Sequence, residues 1–470
     1  MTIIKHLHPV LSSIPPTLFE LPPALKLRWT SLWACVLSLL VTLLPGCTPG
    51  QAQAREQGLN NQHQLNQTVT MTPTPPPLTF ATADFMRELN AYIKTVQKTW
   101  GVPGLAVAVV DNGRVISAKG YGVRDYTSNA KVSKHTVFQL ASLSKTFTSV
   151  LLGVLIDNKR LSLDDPIVKF LPDLVLGSPE HTKKIKVRHL LNQTTGFPSH
   201  SGDVRIEGGE SFDQIIKSFS NLKILNGPGQ VHSYQNVLYA LAGKIIEEVT
   251  QMSFAQAVRY YLFTPLQMND ASVGRQAFKL AINRALPFRY IGGTHKQIPV
   301  SYDYYTVAGA AGVNASIADM AQWLNFTAGT IPLVPLANMP VISLATLQSL
   351  QKPSVSSPAE TSRMRPYRER VTRTHYGLGF RISDWAGHRI VYHGGMVDGM
   401  KSILAFDPQK KAGIVILVNS NTPALGIIRS YFFDKLYGLN DIDWNQRFKQ
   451  QELQAAQKKK ARKKVVRKKR

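Results

Sequence analysis

One stretch of the 470-residue sequence sets a nucleophile and a base at helical spacing: Phe138-Gln139-Leu140-Ala141-Ser142-Leu143-Ser144-Lys145-Thr146-Phe147-Thr148-Ser149-Val150. On a helix, residues i and i+3 lie one turn apart on one face. The Lys145 amine therefore points along the same side as the Ser142 hydroxyl, as a lysine must to take a proton from a serine nucleophile. Backbone N–H groups near a helix start also point outward, ready to stabilise an oxyanion. Ser144 faces elsewhere and is the weaker candidate. The same spacing recurs at Ser128/Lys131, Ser220/Lys223 and Ser349/Lys352, so spacing alone carries little weight. Context separates Ser142. Val150, Leu151, Leu152, Val154, Leu155 and Ile156 follow it and are apolar nearly all round, the mark of a buried helix. A buried lysine shifts toward neutral, and a neutral amine is a base. The plainer alternative is a capping serine followed by a surface lysine.

Two further groups could join them. Tyr234-Gln235-Asn236 follows a Pro228-Gly229 turn and opens a helical run. A phenol whose pKa is lowered by a nearby lysine can shuttle protons, and the amide can hold a substrate carbonyl or orient the lysine. Taken alone, a helix-start Asn after a proline turn explains this segment better. His393-Gly394-Gly395 ends a strand-like run. Glycines let a substrate backbone approach a sheet edge, and His393 could hydrogen-bond a substrate carboxylate or carbonyl. Taken alone, a turn explains it better. No His/Asp/Glu spacing forms a metal site, and no cofactor is implied.

Together, Ser142-x-x-Lys145, Tyr234-x-Asn236 and His393-x-Gly395 resemble, in order and broad spacing, the serine β-lactamase-like family. That family groups class C β-lactamases, D-alanyl-D-alanine carboxypeptidases, D-aminopeptidases and related esterases. His189-Leu190-Leu191-Asn192-Gln193-Thr194-Thr195-Gly196, Pro265-Leu266-Gln267-Met268 and Tyr376-Gly377-Leu378-Gly379 are similar to it as well. The resemblance runs from Phe85 to Leu439. It implies Ser142 as acylated nucleophile, Lys145 as its proton partner and Tyr234 as general base and acid. Asn236, His393 and Gly395 would contact substrate, and the backbone N–H groups of Ser142 and Met396 would form the oxyanion hole. β-Lactamases of this type carry Lys-Thr-Gly where this chain has His393-Gly394-Gly395. Histidine is neutral much of the time at pH 7 and lysine is not, so the resemblance leans to the peptidases and esterases.

The elements that must position these groups follow from periodicity. Ala83 to Trp100 is an amphipathic helix with Phe85, Leu89, Tyr92, Ile93 and Val96 on one face. Leu105–Val110 and Val115–Gly122 are strands joined by the hairpin signal Asp111-Asn112-Gly113. Helical signals dominate from Asp164 to Thr327, at Val187–Leu191, Phe212–Phe219, Asn236–Thr250, Phe254–Leu262 and Ser316–Asn325. Tyr376–Ser383, His388–His393, Lys401–Asp407 and Gly413–Asn419 read as an antiparallel meander, and Thr422–Leu439 closes it with a helix. The fold class is α+β: an antiparallel sheet flanked by helices, with an inserted, mostly helical lobe.

Composition bounds the rest. The hydrophobic share of 44% is ordinary for a globular protein, but the net charge of +26 is not. Ten of the last thirteen residues are Lys or Arg, leaving about +16 elsewhere. The two cysteines are Cys35 and Cys47, so thiol chemistry is excluded beyond them. Lys26 and Arg28 precede the uncharged run Trp29–Leu44, which is shorter than the ~20 residues of a spanning helix. Leu44-Pro45-Gly46-Cys47 resembles a bacterial lipobox with Cys47 as the lipidated residue; an uncleaved signal anchor is the alternative.

Residues 1–47 thus read as an export signal of lipoprotein type, 48–78 as a Gln/Asn/Thr/Pro-rich tether, 79–445 as the hydrolase-like domain and 446–470 as a basic tail. Either anchor places the protein outside the cytoplasm, periplasmic or on the cell surface, and tethered to a membrane. The tail suits anionic lipid or cell-wall polymer; no recognition fold accompanies it to argue for nucleic acid. Two functions compete: a serine hydrolase acting on a small-molecule or peptide substrate, and a non-catalytic protein that holds peptidoglycan or a partner. The joint presence of Ser142, Lys145 and Tyr234 favours the first.

Overall fold

The computed structural model describes residues 77–331 and 341–468. The export and tether segments, Cys47 among them, lie outside the described residues apart from Pro77 and Leu78.

Helix α1 (Ala83–Trp100) starts on Thr82, whose hydroxyl accepts from the Phe85 N–H, and buries Leu89, Ile93, Val96 and Trp100. The hairpin β1 (Gly104–Asp111) and β2 (Arg114–Gly122) follows. Helices α2 (Ser144–Asp157), α3 (Asn236–Thr250) and α4 (Ile317–Thr327) belong to the central part of the chain. The C-terminal part supplies β3 (Val355–Ser356), β4 (Thr374–Tyr376), β5 (Arg381–Trp385), β6 (His388–Val397), β7 (Met400–Asp407) and β8 (Ala412–Val418). Helices α5 (Ala424–Leu436) and α6 (Trp444–Lys468) end it.

One antiparallel sheet of eight strands runs in the order β2-β1-β8-β7-β6-β5-β4-β3. Its first hairpin is thus completed by strands from the far end of the chain, with Val107 opposite Ile416. Side chains alternate between faces along a strand. On β1, Ala106, Ala108 and Val110 join the larger core, with α2, α3 and α4. Leu105, Val107 and Val109 join the smaller core, with α1 and α5. Strand β8 divides the same way. Strands covered on both faces read as unbroken apolar runs rather than alternating ones, which is why these two are so uniformly hydrophobic. The α+β class holds: sheet at both ends of the chain, helices between.

Helix α6 was not foreseen. Its first residue, Trp444, is fully buried, and its indole N–H donates to Asp434 at 2.8 Å. The Trp385 indole and the Arg370 guanidinium reach the same carboxylate. From Gln446 the sequence is rich in Gln, Ala, Lys and Arg, good helix formers without an apolar period, so pattern reading finds no core-facing stripe there. Among the described residues no helix is long and apolar enough to cross a membrane.

Candidate active site

The nucleophile candidate sits on a short turn, Ala141–Leu143, that feeds into α2. Ala141 adopts φ +49°, a conformation costing a non-glycine residue on the order of 1–3 kcal/mol. Three hydrogen bonds hold the segment there. The Leu140 N–H donates to Val313 O at 3.0 Å, the Ser402 hydroxyl donates to Leu140 O at 2.7 Å, and the Val313 N–H donates to the Ser144 hydroxyl at 2.9 Å. Ser144 is fully buried and plays this structural part.

Ser142 lines a cleft of about 630 Å³, together with Tyr234, Asn236, Arg381, Gly395 and Met396. Lys145 is fully buried beneath it. Its Nζ lies 3.3 Å from Ser142 Oγ, 2.7 Å from Asn236 Oδ1 and 3.2 Å from Ala310 O. The lysines of the other three Ser-x-x-Lys spacings, Lys131, Lys223 and Lys352, are exposed. Ala310 O reaches the amine because α3 and the short helix Ala308–Ala311 meet at Gly243 and Gly309. A Cβ on Gly309 would stand 3.1 Å from Gly243 Cα.

Burial pushes the Lys145 amine below its usual pKa, against the opposing pull of Tyr234 and Asp203. Burial also resists ionisation of Tyr234. The Lys145 and Arg381 cations, with hydrogen bonding to Ser142 and Lys145, outweigh it and hold the phenol below its usual value. The Lys145 Nζ is 4.8 Å from the Tyr234 ring centre, and the Arg381 guanidinium carbon 5.0 Å. A general base works best with a pKa near the operating pH, and both shifts go that way.

Asn236 is engaged by its neighbours. Its carbonyl accepts from Lys145, and its NH2 donates to both Asp203 oxygens at 3.2 and 3.0 Å. The amide thus orients the lysine, and it also lines the cleft, where the substrate contact expected of it remains open to it. Gly395 packs against the nucleophile's segment, and Met396 beside it is 70% exposed at the cleft wall.

The substrate contact expected of His393 needs correcting. Its ring is fully buried and does not line the cleft. The Nδ1 lies 2.8 Å from Gly394 O; a carbonyl only accepts, so Nδ1 carries the proton. Nε2 then accepts from the Tyr376 hydroxyl at 3.0 Å. Burial, with Arg381 and Lys145 nearby, holds this imidazole neutral, its pKa well below the usual value. The cation beside Tyr234 is instead Arg381, ion-paired with Glu360. Sequence reading missed both Arg381 and Asp203. Neither has a local signature: one opens a five-residue strand, the other a five-residue helix. No group of three His, Cys, Asp or Glu side chains among the described residues could hold a metal.

A serine and a buried lysine one turn apart thus stand at the rim of an antiparallel sheet backed by helices. The Beta-lactamase family model matches residues 89–436, and the chain belongs to that family. Protein flp of Staphylococcus aureus (strain MW2) is 25% identical over 346 residues, covering 73% of this chain and 64% of flp. The matched region therefore spans less than two thirds of that relative. Unguisins hydrolase ungD of Aspergillus violaceofuscus (strain CBS 115571) is 26% identical over 387 residues, covering 78% of this chain and 67% of ungD. The octameric penicillin-binding protein homologue from Pyrococcus abyssi shares the fold, with a TM-score of 0.65 at 23% identity, over 76% of this chain and 78% of that one.

Proposed function

We propose that the protein is a serine hydrolase that acts through an acyl-enzyme on Ser142. One observation carries this reading: a fully buried lysine amine 3.3 Å from a serine hydroxyl that opens onto a cleft. Ser142 Oγ attacks the substrate carbonyl carbon while its proton passes to the Lys145–Tyr234 pair. The oxyanion is held by the backbone N–H groups of Ser142 and Met396. The bond to the leaving group breaks as Tyr234 returns the proton to it. Water then attacks the acyl-Ser142 ester and gives a proton to the same pair, which passes it to Ser142 Oγ as the acyl carbon–Oγ bond breaks and the acid leaves.

Ester and D-amino-acid amide substrates rank above β-lactams in this reading. His393 offers no cation to a β-lactam carboxylate, and Arg381 is already paired with Glu360. A panel of a short-chain p-nitrophenyl ester, a D-Ala-D-Ala peptide and a chromogenic cephalosporin tests both parts. The ester or peptide should turn over fastest, and Ser142→Ala should abolish turnover. Equal turnover by Ser142→Ala overturns the mechanism; a cephalosporin turned over fastest overturns the substrate order. The protein is further proposed to be exported and anchored through Cys47, with the basic tail on anionic lipid or cell-wall polymer. Cys47→Ser should then lose lipid labelling.

A further inference from the structure

On the acyl-enzyme reading given above, we propose that Asp203 is a positioning residue for the Ser142–Lys145 pair, acting through the amide of Asn236. A carboxylate can only accept hydrogen bonds. Both Asp203 oxygens therefore call for the NH2 side of Asn236, found at 3.2 and 3.0 Å. That fixes which way the amide faces and leaves Oδ1 toward Lys145 at 2.7 Å. A neutral primary amine has two N–H bonds and one lone pair. Asn236 Oδ1 and Ala310 O take the two N–H bonds. The Ser142 hydroxyl and the Tyr234 phenol share the remaining direction, so the lone pair faces the groups between which the proton moves. A reversed amide would offer the amine N–H groups instead of an acceptor and draw the lone pair off Ser142. Asp203 blocks that reversal, because it would set a carbonyl oxygen against a carboxylate.

Asp203 is itself held. It is 9% exposed, and His200 Nδ1 lies 2.8 Å from its Oδ2. The chain Lys145–Asn236–Asp203–His200 thus runs from beneath the nucleophile to the cleft wall. Other elements also face the amine: Tyr239 from α3, Tyr234 from the loop before it, Ala310 O from the short helix, and Arg381 from β5. Asp203 supplies negative charge that supports the protonated amine.

The test is the rate of covalent labelling of Ser142 by a serine-reactive phosphonate across pH, with thermal unfolding as a check on folding. Asp203→Asn keeps the shape but loses the fixed polarity. It should slow labelling about tenfold to a hundredfold, the scale of a misplaced reacting group. Its acid limb should also move to lower pH, since the amine loses the charge that held its pKa up. Coupling through one amide predicts that adding Asp203→Asn to Asn236→Ala costs nothing further on the pH plateau above the acid limb, where the amine is already neutral. Labelling of Asp203→Asn at the wild-type rate with an unchanged profile overturns the proposal, as do effects of the two variants that multiply. Failure to label Ser142 in the wild-type protein would instead remove the acyl-enzyme reading, and the role of Asp203 with it.

Discussion

Replacing Gly395 with alanine places a methyl group where the nucleophile's own segment already lies. The added Cβ would stand 2.0 Å from Leu140 O, 2.6 Å from Ser402 Oγ and 3.0 Å from Ser142 N. Non-bonded heavy atoms settle at about 3.5 Å, so the Leu140 carbonyl must retreat by more than about 1 Å. It cannot do so freely. The Ser402 hydroxyl holds that carbonyl at 2.7 Å, and the next residue, Ala141, is already at φ +49°. Overpacking of this kind costs about 1–3 kcal/mol of stability, within the roughly 5–15 kcal/mol a domain has to lose. A displacement of about 1 Å at the reacting group costs about a hundredfold in rate, or about 2.7 kcal/mol. Gly394→Ala is the matched control, since its Cβ would meet only Ser402 O, at 3.4 Å. Ester turnover and thermal unfolding, measured on both variants, should show Gly395→Ala folded but about a hundredfold slower and Gly394→Ala close to wild type. Gly395→Ala within threefold of wild type, or Gly394→Ala equally impaired, would refute the packing account of the cleft floor.

Arg381→Met combined with Glu360→Gln removes a cation that holds the Tyr234 phenol down, together with the carboxylate it would otherwise strand. The phenol pKa should rise, so the limb of the pH–rate profile that tracks its ionisation should move to higher pH; an unmoved limb counts against Arg381 as the cause. His393→Lys would bury an ammonium among Arg381 and Lys145 and break the bond to Tyr376. It should lower stability by about 3 kcal/mol or more without adding cephalosporin hydrolysis, and a stable variant with new cephalosporinase activity would show that this side chain reaches the cleft. Truncation after Gln457 should leave ester turnover intact and weaken salt-sensitive binding to anionic vesicles, each lost cation being worth about 1 kcal/mol near such a surface. A large fall in turnover would show that the tail packs on the catalytic domain.

Much of the fold is legible in local pattern. Val187–Leu191 and Asn236–Thr250 are helices with the bounds their residues predict. The apolar run read as Gly413–Asn419 is the strand Ala412–Val418, recognisable because both its faces are covered. Local reading fails where a neighbour decides. The helix beginning at Phe254 passes into a π-turn at Arg259–Phe263, and Leu344–Leu350 is a helix without a predicted signal. The error at His393 has a simple origin. The local pattern ends the strand at His393, beside a glycine turn open to substrate. It runs on to Val397, paired with β7 throughout that stretch while the β5 pairing stops at Tyr392, which leaves His393 mid-strand and buried. At the site, Ser142 and Lys145 meet because helical spacing is a local property. Asp203 and Arg381 reach Asn236 and Tyr234 only through tertiary packing, from segments 33 residues before Asn236 and at the far end of the chain, and no spacing rule announces them.

The account turns on Ser142 forming a covalent bond, and intact-protein mass spectrometry after phosphonate treatment measures that directly, with peptide mapping to locate the adduct. The wild-type protein and Ser144→Ala should each gain one adduct, mapped to Ser142, and Ser142→Ala should gain none. An adduct that persists at full stoichiometry in Ser142→Ala, or maps to another residue in the wild-type protein, would contradict the assignment of the nucleophile.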